Sequence, residues 1–442
     1  MKTWVPRAAL FCGGGISALM GCLVASSCSD ESPGVLGEIK AQVVYLDRDE
    51  VARNGGRAVF KVGAQNFGYL KDLKQLDGDF LKIVRGGELS IKDIAGSQIM
   101  SDKFEGGTGP NLRFDVTGGV VVPRDYSTLA MLSSYYQYEQ VFANLGKVTG
   151  IKVEDFVAKS GKLKALFEPT IKLETDSNTQ VASQKLNAAY VSGQKQFVLF
   201  QRSAVEKVPL AANLQVIMHE FGHAVFEQTF FQNRFKAYDS DQPNLDRNFA
   251  GRLEQEYAIR GLNEGFADFM SYGLVGSTDI LRSSIDIEDK ADQRDFSKQR
   301  FVYSDLGSED ASRAELCNGS FYCIGTLFAH SLYQAMQALN IDGSNFDART
   351  GMSSLVVTAV SKAQGTLKTL STDIYPLPNS YVSSCGSGGI KGGDVYNGKI
   401  TGAFLNAFIA NMPDNSKKAL CDAFANNFGD VGFPTAARKG CP

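Results

Sequence analysis

The stretch "HEFGHAVFEQTF", residues 219–230, decides how the second half of the chain is interpreted. It follows the apolar run "NLQVIM" and carries His219 and His223, two of the three histidines in the 442-residue chain. On a helix, residues i and i+4 lie on the same face, so both rings can turn a nitrogen toward one ion. The sequence therefore predicts a helix that carries two ligands of a metal site.

Glu220 lies one residue further round this helix, where it can reach a water on the metal without binding the metal itself. Zinc suits the pattern, because two imidazoles and one more protein ligand leave the fourth position open for water. The pKa of such a water falls to near 7, and a neighbouring glutamate can take its proton. The alternative is a chance pattern on a core helix, but the spacing is specific.

The third ligand is expected in "GLNEGFADFM", residues 261–270. Glu264 and Asp268 are one helical turn apart and share a face. Glu264 can bind the metal, and Asp268 can accept the free N–H of a ligating histidine and so fix its tautomer. The alternative is a solvated acidic face, which is less natural here because aromatic residues and a methionine surround the carboxylates. We therefore predict a site that binds one zinc ion.

"HEFGH" together with "NEGFAD" resembles the gluzincin metallopeptidases, in particular the thermolysin and fungalysin families. In those families the Glu is the third zinc ligand, and an Asp four residues later braces a histidine. The resemblance covers about residues 187–330. It implies a two-lobed fold with a β-rich upper lobe, the HExxH helix and a helical lower lobe, and it implies an endopeptidase with Glu220 as general base.

Two further segments are similar to substrate-binding elements of the same families. "NAAYVSGQKQFVLF", residues 187–200, is similar to a strand whose Asn side chain and Ala backbone hold an extended peptide, which implies a substrate-binding role for Asn187 and Ala188. A strand edge can pair with any peptide backbone. A plain strand without this role is the alternative. Arg294 lies where the family has an arginine that contacts substrate carbonyls or metal-site groups, with Arg282 as the second candidate.

The chain departs from the family pattern at Tyr322 in "FYCIGTLFAHSLY". The family has a histidine two residues before the Ile-Gly pair, where it donates a hydrogen bond to the oxyanion. A phenol can donate in the same way, so Tyr322 is the candidate for this role. His330 is expected to be a packing histidine. The rival interpretation is a catalytically silent zinc-containing binding lipoprotein, although a structural zinc site has no use for Glu220.

The order of elements along the chain predicts an α+β protein. Short β-type runs fill residues 37–122, for which we predict a small β-rich domain, and residues 123–442 are predicted to form the metallopeptidase domain. The segment 125–146 has helical spacing, with Gly146 at its expected end and its tyrosines in the core. Long helical segments follow the HExxH stretch, so a cleft between two lobes is the expected place for the site.

The N-terminal 27 residues have the pattern of an export signal: Lys2 and Arg7, an apolar run, then small residues. A retained membrane anchor is the alternative. "ASSC" and "LMGC" are similar to lipoprotein processing sites, so lipidation is expected at Cys28 or, failing that, at Cys22, with residues 28–36 as a tether. The resemblance favours an outer-membrane lipoprotein.

Composition excludes nucleic acid as an expected partner, because the formal net charge is −3. Export permits disulfides, and Cys317 and Cys323 in "CNGSFYC" look like a local bridge, while the connectivity of the other cysteines stays open. No calcium is expected: residues 238–246 offer oxygen ligands but are interpreted as a solvated loop.

Overall fold

The structure is a computed structural model that describes residues 39–54, 56–94, 97–175, 179–182, 186–191, 196–201, 208–231, 249–284, 294–298, 301–306, 322–366 and 398–442. Residues 38–442 form one compact unit. The predicted signal with Cys22, the tether with Cys28, and the loop 238–246 lie outside the described residues.

Fourteen strands form three sheets in the described residues. They are β1 (Ile39–Leu46), β2 (Phe60–Phe67), β3 (Leu70–Asp72), β4 (Asp77–Gly78), β5 (Leu81–Arg85), β6 (Glu88–Ile94), β7 (Ser97–Glu105), β8 (Phe114–Thr117), β9 (Val120–Pro123), β10 (Leu163–Phe167), β11 (Thr170–Thr175), β12 (Thr179–Ala182), β13 (Leu186–Val191) and β14 (Gln196–Gln201). The strand orders are β2-β1-β9-β8, β13-β14-β10-β5-β4-β3 and β12-β11-β6-β7.

Two of these sheets cross the domain boundary that was predicted after Val122. In the six-stranded sheet, β5 pairs in parallel with β10, which joins Leu81 to Leu163 in register. In the third sheet, β6 pairs in parallel with β11. The β content of residues 37–122 is as predicted, but its strands share sheets with later strands, so this segment does not form a separate core in the described residues.

The described helices are α1 (Arg48–Arg53), α2 (Tyr126–Thr149), α3 (Val153–Ser160), α4 (Leu214–Phe226), α5 (Phe249–Val275), α6 (Tyr322–Ala338), α7 (Phe346–Thr366), α8 (Lys399–Ala410) and α9 (Asp414–Gly432). Helices and mixed sheets together confirm the predicted α+β class. Among the described helices, none is both long and apolar enough to cross a membrane.

Helix α2 ends later than predicted. Gly146 lies inside the helix, and the C-cap is Gly150, which has φ 73° and donates its backbone N–H to the carbonyl of Gly146. The left-handed conformation at Gly150 is favourable for glycine and ends the helix there. The prediction that the helix tyrosines pack in the core is confirmed for Tyr135 and Tyr138, which are both fully buried.

Helix α2 also ties the first sheet to the start of α4. The side-chain amide of Gln137 donates to the carbonyl of Val44 in β1 at 2.9 Å and to the carbonyl of Ala212, just before α4, at 3.0 Å. Each bond satisfies a buried carbonyl that would otherwise cost free energy. The position of α4 is therefore fixed at its N-terminal end by a buried polar side chain.

One disulfide joins Cys421 in α9 to Cys441 near the C-terminus. Cys323 is also disulfide-bonded, but Cys317 lies outside the described residues, so the predicted Cys317–Cys323 pair stays a prediction.

Candidate metal centre

Helix α4 places its polar residues and its aromatic residues on different sides. Asn213 caps the helix by accepting the N–H of Gln215 at 2.9 Å. Phe221 stacks on Phe197 of β14, with ring centroids 5.8 Å apart, and packs against Phe142 of α2. Because Phe221 is anchored between the sheet and α2, the face that carries the two histidines is directed toward α5.

Glycines let α4, α5 and α6 approach one another closely at the site. A Cβ on Gly222 would lie 2.7 Å from Cα of Ala267 in α5, and a Cβ on Gly265 would collide with the backbone of Gly325 in α6. A side chain at either position would push the helices apart. The glycines in "HEFGH" and "NEGFAD" therefore have a packing role that brings the polar residues of α4 and α5 together.

Three side chains converge on one point between α4 and α5: His219, His223 and Glu264, whose ligand atoms all lie within 4.8 Å of one another. The two Nε2 atoms are 3.1 Å apart. The oxygens of Glu264 lie 3.4 Å from Nε2 of His219 and 3.7 Å from Nε2 of His223. Ligands about 2.0–2.1 Å from a tetrahedral zinc are roughly 3.3–3.4 Å apart, so these separations bracket the required geometry and the three residues could hold the ion.

The outer nitrogens of both histidines face oxygen acceptors. Nδ1 of His219 lies 2.8 Å from a carboxylate oxygen of Asp268. The distance is short, but the N–H bond does not point directly at that oxygen. Nδ1 of His223 lies 3.1 Å from the amide oxygen of Asn263. With the proton on Nδ1, each ring directs the lone pair of Nε2 toward the shared point. Sequence reasoning found Asp268 but missed Asn263, although it directly precedes Glu264.

Arg294 donates hydrogen bonds to the two carboxylates that contact the histidines, Asp268 and Glu264. It donates to Asp268 from Nη2 at 2.6 Å and from Nε at 3.1 Å, and from Nη2 to Glu264 at 3.2 Å. Asp268 is only 1 % exposed. The sequence placed Arg294 among substrate or metal-site contacts, and the contacts it makes are with the metal-site carboxylates. Arg282, the second candidate, pairs with Asp279.

Charge within this cluster shifts the pKa values of its members. Burial lowers the pKa of His219, but the charge and contact of Asp268, with help from Glu264, outweigh burial and raise it to about 10. Burial raises the pKa of Glu264, but His223, His219 and Arg294 outweigh it and hold the pKa well below its usual range. The metal-free cluster thus favours a protonated histidine beside an ionised glutamate.

Glu220 lies beside the three ligands and is held by the sheet. It is 7 % exposed, and its carboxylate accepts the backbone N–H of Tyr190 in β13 at 2.8 Å. Burial raises the pKa of Tyr138, and the charge of Glu220 raises it further, which indicates that this buried phenol lies near the carboxylate. Neither tyrosine could be predicted as a neighbour of Glu220, because both contacts depend on long-range packing.

Strand β13, whose Tyr190 donates to Glu220, is an edge strand of its sheet in the part of the chain that the structure describes. β13 is first in the strand order and pairs antiparallel with β14, with Ala188 opposite Leu199. Along a strand, the backbone groups of residues i and i+2 point to the same side. Since the N–H of Tyr190 points to Glu220, the N–H and C=O of Ala188 face the same edge, which no described strand covers. Asn187 lies in the same strand, and its side chain is outside the described part of the structure.

Tyr322 is the first residue of α6 and is 43 % exposed. The charge of Glu264, then burial, raises the pKa of its phenol, and Glu220 adds to the effect, so the hydroxyl lies near both carboxylates. The guanidinium of Arg294 lies 4.9 Å from the ring centroid. His330 lies elsewhere: it is buried, and its Nδ1 is 2.6 Å from the carbonyl of Phe296, which confirms the expected packing histidine.

The chain matches no protein-family model, and a search of curated proteins finds no significantly similar sequence.

Proposed function

We propose that the protein is a zinc-dependent endopeptidase with Glu220 as general base. The observation that supports this most is that the site has three metal-binding side chains and, beside them, a carboxylate that is not among them. A structural zinc site usually has four protein ligands, whereas a catalytic one has three and an open position. In the described residues no fourth ligand joins His219, His223 and Glu264.

Each residue of the site has a role in this reaction. Zinc, when bound, would polarise water and the substrate carbonyl. Glu220 takes the proton of the attacking water and delivers it to the leaving amine. Tyr322 donates its O–H to the oxyanion that develops at the carbonyl. Asp268 and Asn263 hold the histidines in the tautomer that presents Nε2.

The free edge of β13 is where we propose that the peptide substrate binds. The substrate backbone would add as a strand and pair with the N–H and C=O of Ala188. The site would then select an extended backbone rather than a particular side chain. Glu220 is hydrogen-bonded to Tyr190 two residues further along the same edge, so a peptide paired with Ala188 would bring a carbonyl close to the general base.

We also propose the two-lobed gluzincin architecture for this chain. The supporting observations are that the edge strand β13 lies on one side of α4 and the ligand-bearing helix α5 on the other, and that both contact α4. A further supporting observation is that every described strand precedes α4 and that α5 to α9 follow it, although the long helix α2 also precedes α4.

The catalytically silent zinc-binding lipoprotein is the second candidate, because a tyrosine replaces the family histidine at residue 322. Peptide hydrolysis by the parent separates the candidates, and two variants test the roles of the site residues. Glu220→Gln should retain zinc while peptide hydrolysis falls by about 10²- to 10⁴-fold, as expected for loss of a general base. His223→Ala should lose zinc. Glu154→Gln makes the same change on the exposed face of α3 and should behave like the parent.

Zinc content by elemental analysis and hydrolysis of a broad peptide library are the two measurements. Unchanged hydrolysis in Glu220→Gln would rule out this base. A parent protein that binds zinc but cleaves no peptide would favour the binding lipoprotein. A parent protein without zinc would refute both candidates.

We further propose that the mature protein is exported and lipid-anchored in the outer membrane through Cys28 or Cys22. The support is the N-terminal sequence pattern alone. Mass spectrometry of the mature N-terminus checks it, and an unmodified N-terminal residue would contradict it.

A further inference from the structure

A cavity lies beside the C-terminal end of α5, away from the metal ligands. Its volume is about 850 Å³, and its walls include the start of α1, the end of α2, the end of α5 and the start of α7. Tyr272, which lines it, is eight residues after Glu264, so along the helix the two are roughly 12 Å apart. None of the residues assigned to the metal centre lines this cavity.

Three cations surround one aromatic ring in this cavity. The guanidinium of Arg48 lies 5.3 Å from the ring centroid of Phe346, the amine of Lys147 lies 5.2 Å away, and the guanidinium of Arg349 lies 5.9 Å away. Arg349 also lies 5.9 Å from the ring centroid of Tyr272. Three like charges so close together repel one another, and the two rings compensate only a small part of that repulsion. The arrangement therefore costs free energy unless an anion is present.

Arg349 is the most deeply buried of the three cations, with 5 % exposure. Its Nη1 donates to the carbonyl of Gly343 at 2.7 Å, but its Nε is buried without any hydrogen-bond partner. Buried arginines are normally paired with a carboxylate or fully hydrogen-bonded. Among the described residues, Arg349 and Arg48 form no ion pair. Burial lowers the pKa of both guanidinium groups, and the nearby carboxylates, Asp49 for Arg48 and Asp342 for Arg349, offset this only in part.

Acidic groups near the cavity do not neutralise it. Asp49 lines the cavity but forms no ion pair with Arg48, its neighbour in the chain. Asp347 lies 3.4 Å from Lys147, and both side chains are well exposed, so this pair is screened by solvent. The cavity thus keeps excess positive charge at its most buried point, around Arg349.

We propose that this cavity binds a small organic molecule through a phosphate group held by Arg48, Lys147 and Arg349. Guanidinium groups match phosphate oxygens in geometry. The two negative charges of a phosphate group also balance three cations better than the single negative charge of a carboxylate would. The volume lies within the usual range for small-molecule sites and exceeds what phosphate alone would fill. Tyr272 and Tyr333 line the remainder, so the uncharged part of the ligand packs against aromatic rings.

The test measures binding of inorganic phosphate and of pyrophosphate by calorimetry and by thermal unfolding, with chloride at matched ionic strength as the reference. The parent should bind pyrophosphate, and Arg48→Gln should weaken that binding at least about tenfold, as expected for loss of one charge-assisted contact. Arg53→Gln changes an exposed arginine of the same helix, which pairs with Glu50, and should leave binding unchanged.

Thermal unfolding adds a readout that a purely structural cation cluster would not give. Without ligand, Arg48→Gln should be at least as stable as the parent, because it removes an uncompensated charge, and pyrophosphate should no longer raise its unfolding temperature. General stabilisation by phosphate salts would act equally on parent and variant. Equal binding by parent and Arg48→Gln, or no binding by the parent tighter than about 1 mM, would overturn the proposal. These outcomes do not depend on peptide hydrolysis.

Discussion

Zinc binding should displace about one proton from His219 at neutral pH. In the metal-free protein, burial lowers the pKa of this ring, but Asp268 at 2.8 Å from Nδ1 and Glu264 at 3.4 Å from Nε2 outweigh burial and raise the pKa to about 10. Nε2 is the nitrogen that must bind the metal. A proton held there by Glu264 therefore competes directly with zinc.

The size of the competition follows from the pKa of His219. At pH 7.5 that pKa of about 10 lies roughly 2.5 units above the pH, so the proton weakens apparent zinc affinity by roughly 3 kcal/mol, or about 300-fold. The apparent Kd for zinc should fall about tenfold per pH unit between about pH 7 and pH 9 and level off above about pH 10.

The same proton stabilises the metal-free fold. The folded pKa of His219 is about 10, and the unfolded pKa is about 6.5, so this contribution is fully present below about pH 6.5 and is lost as the pH rises toward 10. The metal-free protein should therefore unfold more easily at pH 9.5 than at pH 7, while saturating zinc should remove this dependence, since the bound ring no longer takes up a proton.

Calorimetry in buffers of different ionisation enthalpy counts the released protons. Asp268→Asn removes the negative charge nearest to His219. Zinc binding to this variant should therefore release far less than one proton at pH 7.5. Asp295→Asn makes the same change at a carboxylate that is likewise buried but is bonded to Thr278 and Ser297. Zinc binding to this variant should release as many protons as zinc binding to the parent. Zero release by the parent, or equal release by Asp268→Asn, would refute the electrostatic reasoning.

Two substitutions test other parts of the site. Tyr322→Phe should retain zinc and stability, while kcat falls by roughly 10- to 10³-fold and KM changes little. Steady-state kinetics measures both constants. Full activity in this variant would show that the tyrosine ring has only a packing role. Gly222→Ala should cost about 1–3 kcal/mol in chemical denaturation and weaken zinc binding, because its Cβ would lie 2.7 Å from Cα of Ala267. The control Gly351→Ala, at an exposed position of α7, places its Cβ where no other atom lies within 4 Å and should cost nothing.

The parts of the site that sequence predicts are those with local spacing. His219 and His223, and then Glu264 and Asp268, are each four residues apart on a helix, so helical geometry alone puts each pair on one face. The convergence of the two pairs required only that the two helices pack together. Asn263 could have been found from the same helix, since the residue before Glu264 is close enough to meet the second histidine.

Long-range pairing is what the sequence pattern could not predict. β5 and β10 are about eighty residues apart, and the alternation that marks each as a strand says nothing about its partner. The boundary after Val122 was placed where strands gave way to a helix, and the sheet crosses it. The cavity around Arg349 could not be predicted for the same reason, because Arg48, Lys147 and Arg349 come from three segments that carry no common motif.

The formal charges of the metal centre favour a divalent cation over a metal-free core. With neutral histidines, Glu264, Asp268 and Glu220 contribute three negative charges, and Arg294 returns one, so the cluster carries −2 before any ion binds. A buried cluster of that charge is costly, and a proton on His219 removes only half of it. One divalent cation brings the sum to zero. Replacing Glu220 by glutamine leaves an excess of one positive charge when the cation is bound, so the variant should still hold zinc through its three ligands but with lower affinity than the parent. An equal or higher affinity would be evidence against this charge balance.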